Sequence, residues 1–131
     1  MDMIKAGIIA VITFGLMDAL WLGVIARSLY KDQLGALMRP QPHWWMTACV
    51  YLLMVAGFVW FVFPQVQMTR SLLQALQYGA RFGVILYGVY ECTNYATLAE
   101  WPFKLVIIDT IWGGLLYAVA SAAVFYLRTW I

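Results

Sequence analysis

The chain has 131 residues, of which 65% are hydrophobic and only 11% charged, with a mean hydropathy of +0.82. A soluble domain carries about 25% charged residues, so this composition excludes a surface made to face water. The net charge of +2 is too small to argue for nucleic acid, and no basic patch with interleaved aromatics is present.

A membrane-crossing helix needs about 20 mostly apolar residues at about 1.5 Å rise each. Four stretches meet that requirement, 4–26, 44–63, 72–98 and 103–127. The expected fold is all-α, an integral membrane bundle of four transmembrane helices, with 1–131 forming one transmembrane domain. The first stretch exceeds the roughly 7–15 apolar residues of a signal-peptide core and lacks an Ala-x-Ala-like site, so it reads as a retained anchor. It carries Asp18 in its second half.

Pro40 and Pro42 bracket the first connection, and Pro42 suits a helix start because its missing donor costs nothing there. Cys49 in the second helix and Cys92 in the third have no partner motif and read as small apolar helix residues. Pro64 is expected to close the second helix. Ser71-Leu72-Leu73-Gln74 is a capping-box pattern that opens the third. Trp101-Pro102 marks so short a turn into the fourth helix that the last two must be antiparallel neighbours. Trp44, Trp45, Trp60, Trp101 and Trp130, with His43, fall near helix ends, where amphipathic rings settle at the headgroups. Gly79-x-x-x-Gly83 and Gly114-x-x-x-Ala118-x-x-x-Ala122 are small-residue stripes that let helices approach closely. They leave a homodimer open.

Asp18, Glu91 and Asp109 lie inside apolar stretches, where each costs roughly 2.5–3.5 kcal/mol at a helix centre. Asp18 is eight residues before the end of its stretch, Glu91 seven before, and Asp109 six after a start. All three therefore sit about 9–12 Å below the same membrane face. Asp18-x-x-Trp21-x-Gly23 and Asp109-x-x-Trp112-x-Gly114 repeat one pattern on helices that run in opposite directions. Tyr87 and Asn94 flank Glu91 at helical spacing, and Tyr90 faces Asn94, so phenols and an amide are at hand to satisfy an acid. The expected site is an aromatic-walled cup holding Asp18, Trp21, Tyr87, Tyr90, Glu91, Asn94, Asp109 and Trp112. Acids crowded in such a low-dielectric cup favour proton exchange or capture of a cation. The plain alternative is that these polar groups only hold helices together. The connection 27–43 is long enough to cover the mouth, and Arg27, Tyr30 and Lys31 on it suit an anionic headgroup.

No His pair or Cys cluster has metal spacing, no nucleophile elbow is present, and no glycine-rich phosphate loop occurs, so neither metal nor cofactor is expected. Lys and Arg are nearly balanced between the two sides, so the positive-inside rule gives no orientation.

At these residues the chain resembles a bacterial family of predicted four-helix membrane proteins, a domain of unknown function. The resemblance rests on Asp18-x-x-Trp21-Leu22-Gly23 with Tyr30, on Tyr87-Gly88-x-Tyr90-Glu91-x-Thr93-Asn94-x-Ala96-Thr97-Leu98, on Trp101, and on Asp109-x-x-Trp112-Gly113. It implies a multi-pass protein of the bacterial inner membrane and an Asp as the usual residue where this chain has Glu91. It implies no activity. Three functions compete: a proton- or cation-coupled carrier of a small amphipathic molecule, a membrane enzyme acting on a lipid or isoprenoid by carboxyl acid–base chemistry, and an accessory protein. In each the partners are the bilayer and, for the first two, a lipid-like ligand.

Overall fold

The computed structural model describes all 131 residues and contains helices but no strand. Helix α1 spans Met3–Leu20 and runs on into a π-helical turn, Trp21–Ile25. Helix α2, Arg27–Leu34, follows at once, and a 3₁₀ turn, Gly35–Leu37, leads away from it. Helix α3, Trp44–Gly57, passes through a second π turn, Phe58–Val62, into α4, Phe63–Met68. The long helices α5, Leu72–Thr97, and α6, Phe103–Leu127, complete the chain.

Three of these spans are long and apolar enough to cross a membrane: Met3–Ile25, Trp44–Met68 and Phe103–Leu127. Helix α5 matches them in length, but Gln74, Gln77, Arg81, Glu91 and Asn94 dilute its apolar character. Only 25 of the 131 residues are buried, and Ile4, Ile8, Ile12, Leu52 and Leu53 are all exposed. An apolar exterior of that extent suits lipid and not water.

Local chemistry sets the helix ends. Asp2 caps α1 by accepting from the Lys5 amide at 2.8 Å. Ser71 caps α5 by accepting from the Gln74 amide at 3.4 Å, while the Gln74 side chain turns to the Thr69 hydroxyl and not back to Ser71, so only half of the capping box forms. Pro42 stands before His43, the N-cap of α3, and so lies outside the helix it was expected to open. Pro64 does not close the second span, which continues to Met68. The preceding π turn accounts for this, because it widens the helix just ahead of a residue that has no N–H to give. The Phe63 amide bonds the Phe58 carbonyl, five residues back.

Helices α5 and α6 pack antiparallel at very close range. A Cβ on Gly83 would strike the Gly113 carbonyl, and one on Gly79 would strike Tyr117 and Ser121. The α6 partners of the α5 stripe are thus Gly113, Gly114, Tyr117 and Ser121, and of the expected α6 stripe only Gly114 is among them. Tyr117 also knits the centre: its ring lies 4.8 Å from that of Phe14, and its hydroxyl donates to the Met54 carbonyl at 2.9 Å. At the end holding both termini, Arg128 donates to the Val66 carbonyl at 2.5 Å and Lys5 to the Ile131 carbonyl at 2.9 Å. The other end of α3 has no such tie, and Trp44 to Val50 are all exposed. The bundle is closed below the site and open beside it.

Candidate functional site

Asp18, Glu91 and Asp109 belong to one continuous set of contacts. Asp18 is half-buried on α1 and accepts from the Tyr51 hydroxyl at 2.5 Å and from the Trp112 indole at 3.0 Å. The Trp112 ring stacks on Trp21 with centroids 4.5 Å apart and planes 11° from parallel. Trp21 donates at 3.2 Å to the Tyr30 hydroxyl, which in turn donates to Asp109. Asp109, buried on α6, neighbours the Glu91 carboxyl across the α5–α6 interface. Glu91 is fully buried and accepts from the Trp101 indole at 2.7 Å.

The π turn at Trp21–Ile25 bears on this arrangement. It swings the chain so that α2 folds over the end of α1 and Tyr30 reaches an acid 79 positions away. Single π turns often mark functional sites, since they re-aim side chains within a helix. Burial, and next the Asp109 carboxyl, push the Tyr30 phenol well above its ordinary range, so it stays a donor.

One atom is left over. The Glu91 Oε1 is buried and has no donor. Its neighbour, the Asp109 carboxyl, is itself an acceptor when ionised and cannot supply the missing donor. A proton, a cation or the donor group of a bound molecule meets that need. None of the donors to the three acids is a Lys or Arg; all are phenols and indoles. The acids do not gather with another Asp, Glu, His or Cys into a three-ligand metal cluster.

The remaining expected residues are placed as follows. Tyr87 packs on Gly113 and makes no hydrogen bond within the protein, and Tyr90 is exposed with its ring edge-on to Trp101 at 6.2 Å. Asn94 is half-buried and makes no hydrogen bond to the carboxyls, so the amide expected at the floor is not part of the network. Arg27 and Lys31 are exposed and make no hydrogen bond to it. Two members were not expected. Trp101, expected only as a headgroup anchor, turns its indole N–H onto Glu91. Tyr51 lies seven residues into α3, so the depth rule that groups the acids places it at their level as well.

The chain belongs to a family described as predicted membrane protein (DUF2177), whose model matches residues 3–126. No curated protein and no solved structure matches it. The family description carries no activity, so function must be argued from the carboxyl site.

Proposed function

We propose that this chain is a four-spanning protein of the bacterial inner membrane that carries a small amphipathic molecule, coupled to a proton or another cation. The carrying observation is the Glu91 Oε1, buried without a donor beside a second carboxyl and with no basic side chain in the network. A site used only to hold helices together would fill its acceptors. A site that loads and unloads a positive charge leaves one open. The fourth span is α5: it packs antiparallel along α6, so where α6 crosses, α5 crosses beside it. The bacterial inner membrane is what the family resemblance implies.

The test is proton release on addition of tetraphenylphosphonium to purified protein in weakly buffered detergent. An entering cation displaces a proton, so its affinity should rise with pH, and Asp18→Asn or Glu91→Gln should flatten that dependence. A probe that binds the wild-type protein and releases no proton anywhere in the neutral range would end the coupled-carrier reading.

The Glu91–Asp109 pair also favours a second reading, a membrane enzyme in which one carboxyl donates a proton while the other accepts one. Incubation with a bacterial lipid extract, followed by mass spectrometry of the products, separates the two: a carrier leaves the extract unchanged.

A further inference from the structure

Building on the carrier reading, we infer that the ligand reaches the site sideways from the bilayer, through the groove between α3 and α5, and that it is a single-chain amphiphile with a protonated amine head. The groove is lined by Val50, Leu53 and Met54 on one side and Leu86, Tyr87 and Tyr90 on the other, and encloses about 420 Å³. That volume lies within the range of roughly 300–1,000 Å³ typical of small-ligand pockets. Beside the groove α3 is fastened by Tyr117 to the Met54 carbonyl and by Tyr51 to Asp18, and only beyond these ties, from Val50 back to Trp44, is it exposed throughout.

A plain lipid-facing furrow would be apolar throughout. This one has two phenols in its α5 wall, and the acids lie behind them. Tyr87 is one helical turn before Glu91, and its ring is seated on Gly113, one turn from Asp109. It is close enough to Asp18 and Asp109 to feel both charges, and its hydroxyl has no partner inside the protein. Tyr90 leans on Trp101, the indole that holds Glu91. A ligand lying along the groove thus has its tail against Val50, Leu53 and Leu86 and its head against aromatic faces with carboxyls beyond.

The chemistry of that head follows. Aromatic faces attract an ammonium group, more strongly where water is excluded. The carboxyls of Asp18, Glu91 and Asp109 beyond those faces have only phenols and indoles as donors, so no basic side chain competes there for a cation, and the Glu91 Oε1 is still without a donor. A carboxylate head is repelled by the same groups, and an alcohol gains a hydrogen bond without the charge.

The experiment uses the full chain in lipid nanodiscs and a dodecylamine bearing a diazirine in its tail. After illumination, mass spectrometry should find adducts in the peptides holding Val50 to Met54 and Leu86 to Tyr90. Unlabelled dodecylamine should compete at about tenfold lower concentration than dodecanol, equivalent to about 1.4 kcal/mol, and dodecanoate should not compete. Leu86→Trp, which fills the groove, should remove the adducts. Should that variant fail to fold, the competition series on the wild-type protein decides alone. Adducts spread over other lipid-facing helices, or equal competition by all three amphiphiles, would overturn the inference. Proton release by tetraphenylphosphonium without groove labelling would defeat this route and leave the coupling standing. Amine-selective labelling without proton release would do the reverse.

Discussion

Trp112, three residues after Asp109, donates its indole N–H not to that acid but to Asp18 on α1. Trp21, three residues after Asp18, reaches Asp109 through the Tyr30 hydroxyl. The two Asp-x-x-Trp segments therefore exchange partners, and the two indoles stack where the exchange crosses. Asp18 on α1 is held from α6, and Asp109 on α6 is held by Tyr30 of α2, which Trp21 steadies, so the site clasps the α1–α2 segment to α6.

The clasp should be measurable. Trp112→Phe removes a donor from Asp18 and leaves Tyr51 as its partner, so it should destabilise the detergent-solubilised protein by about 1–3 kcal/mol. Trp21→Ala and Trp112→Ala should be non-additive, with a coupling of about 0.5–1.5 kcal/mol for the ring pair. Thermal unfolding of the two single variants and the double variant checks both, and strict additivity would mean the stack contributes nothing.

Tyr30→Phe should free α2 while the bundle stays folded. Its hydroxyl alone joins α2 to Asp109, so a lipophilic carbodiimide should modify Asp109 faster in the variant. The pH dependence has a definite sign. Docking holds the phenol above its ordinary value of 10.0, by burial first and then by the Asp109 carboxyl. The docking contribution is therefore complete below about 10 and is lost as pH rises beyond it. A nitroxide at Lys31→Cys should stay immobile through the neutral range and loosen only in strong alkali. In Tyr30→Phe it should be mobile throughout.

Gly83 and Gly88 offer a matched pair on α5. A Cβ at Gly83 meets the Gly113 backbone, whereas at Gly88 the nearest atom is the Thr110 Cγ2, 3.8 Å away. Gly83→Ala should cost about 1–3 kcal/mol or more, because backbone cannot step aside. Gly88→Ala should be neutral or slightly stabilising through its helix propensity. Equal melting temperatures would contradict the close α5–α6 approach.

Glu91→Gln should not weaken the fold. The amide oxygen can keep the Trp101 bond, and the new NH₂ supplies the donor that Oε1 lacks opposite Asp109. A melting temperature at or above that of wild type is expected, together with loss of proton release. Glu91→Asp, one methylene shorter, should lose the Trp101 bond and melt lower.

The three acids are legible in the sequence because each is costly among apolar residues, and helix arithmetic puts them at one level. Tyr51 sits at that level too, but a tyrosine in an apolar helix is cheap and gives no alarm. Trp101 misleads because a tryptophan at a span end has a sound interfacial reading, and only the fold shows Glu91 within its reach. Asn94 has the right spacing from Glu91, yet Trp101 already holds one of that carboxyl's oxygens. The continuation past Pro64 is hidden because a π turn leaves no mark in composition. The partner exchange of the two tryptophans is beyond any single-helix pattern, since it depends on how α1 and α6 face each other.

The Tyr30 hydroxyl stands between an exposed helix and an acid within the bundle, and linkage between two such sites runs equally in both directions. Whatever displaces it from the Asp109 oxygen must loosen α2 by the same factor. An antibody or crosslinker that clamps α2 must in turn change how tightly Asp109 holds a proton or a cation. The charge state of a carboxyl buried in the bundle can therefore be set, and read, from the exposed face of α2.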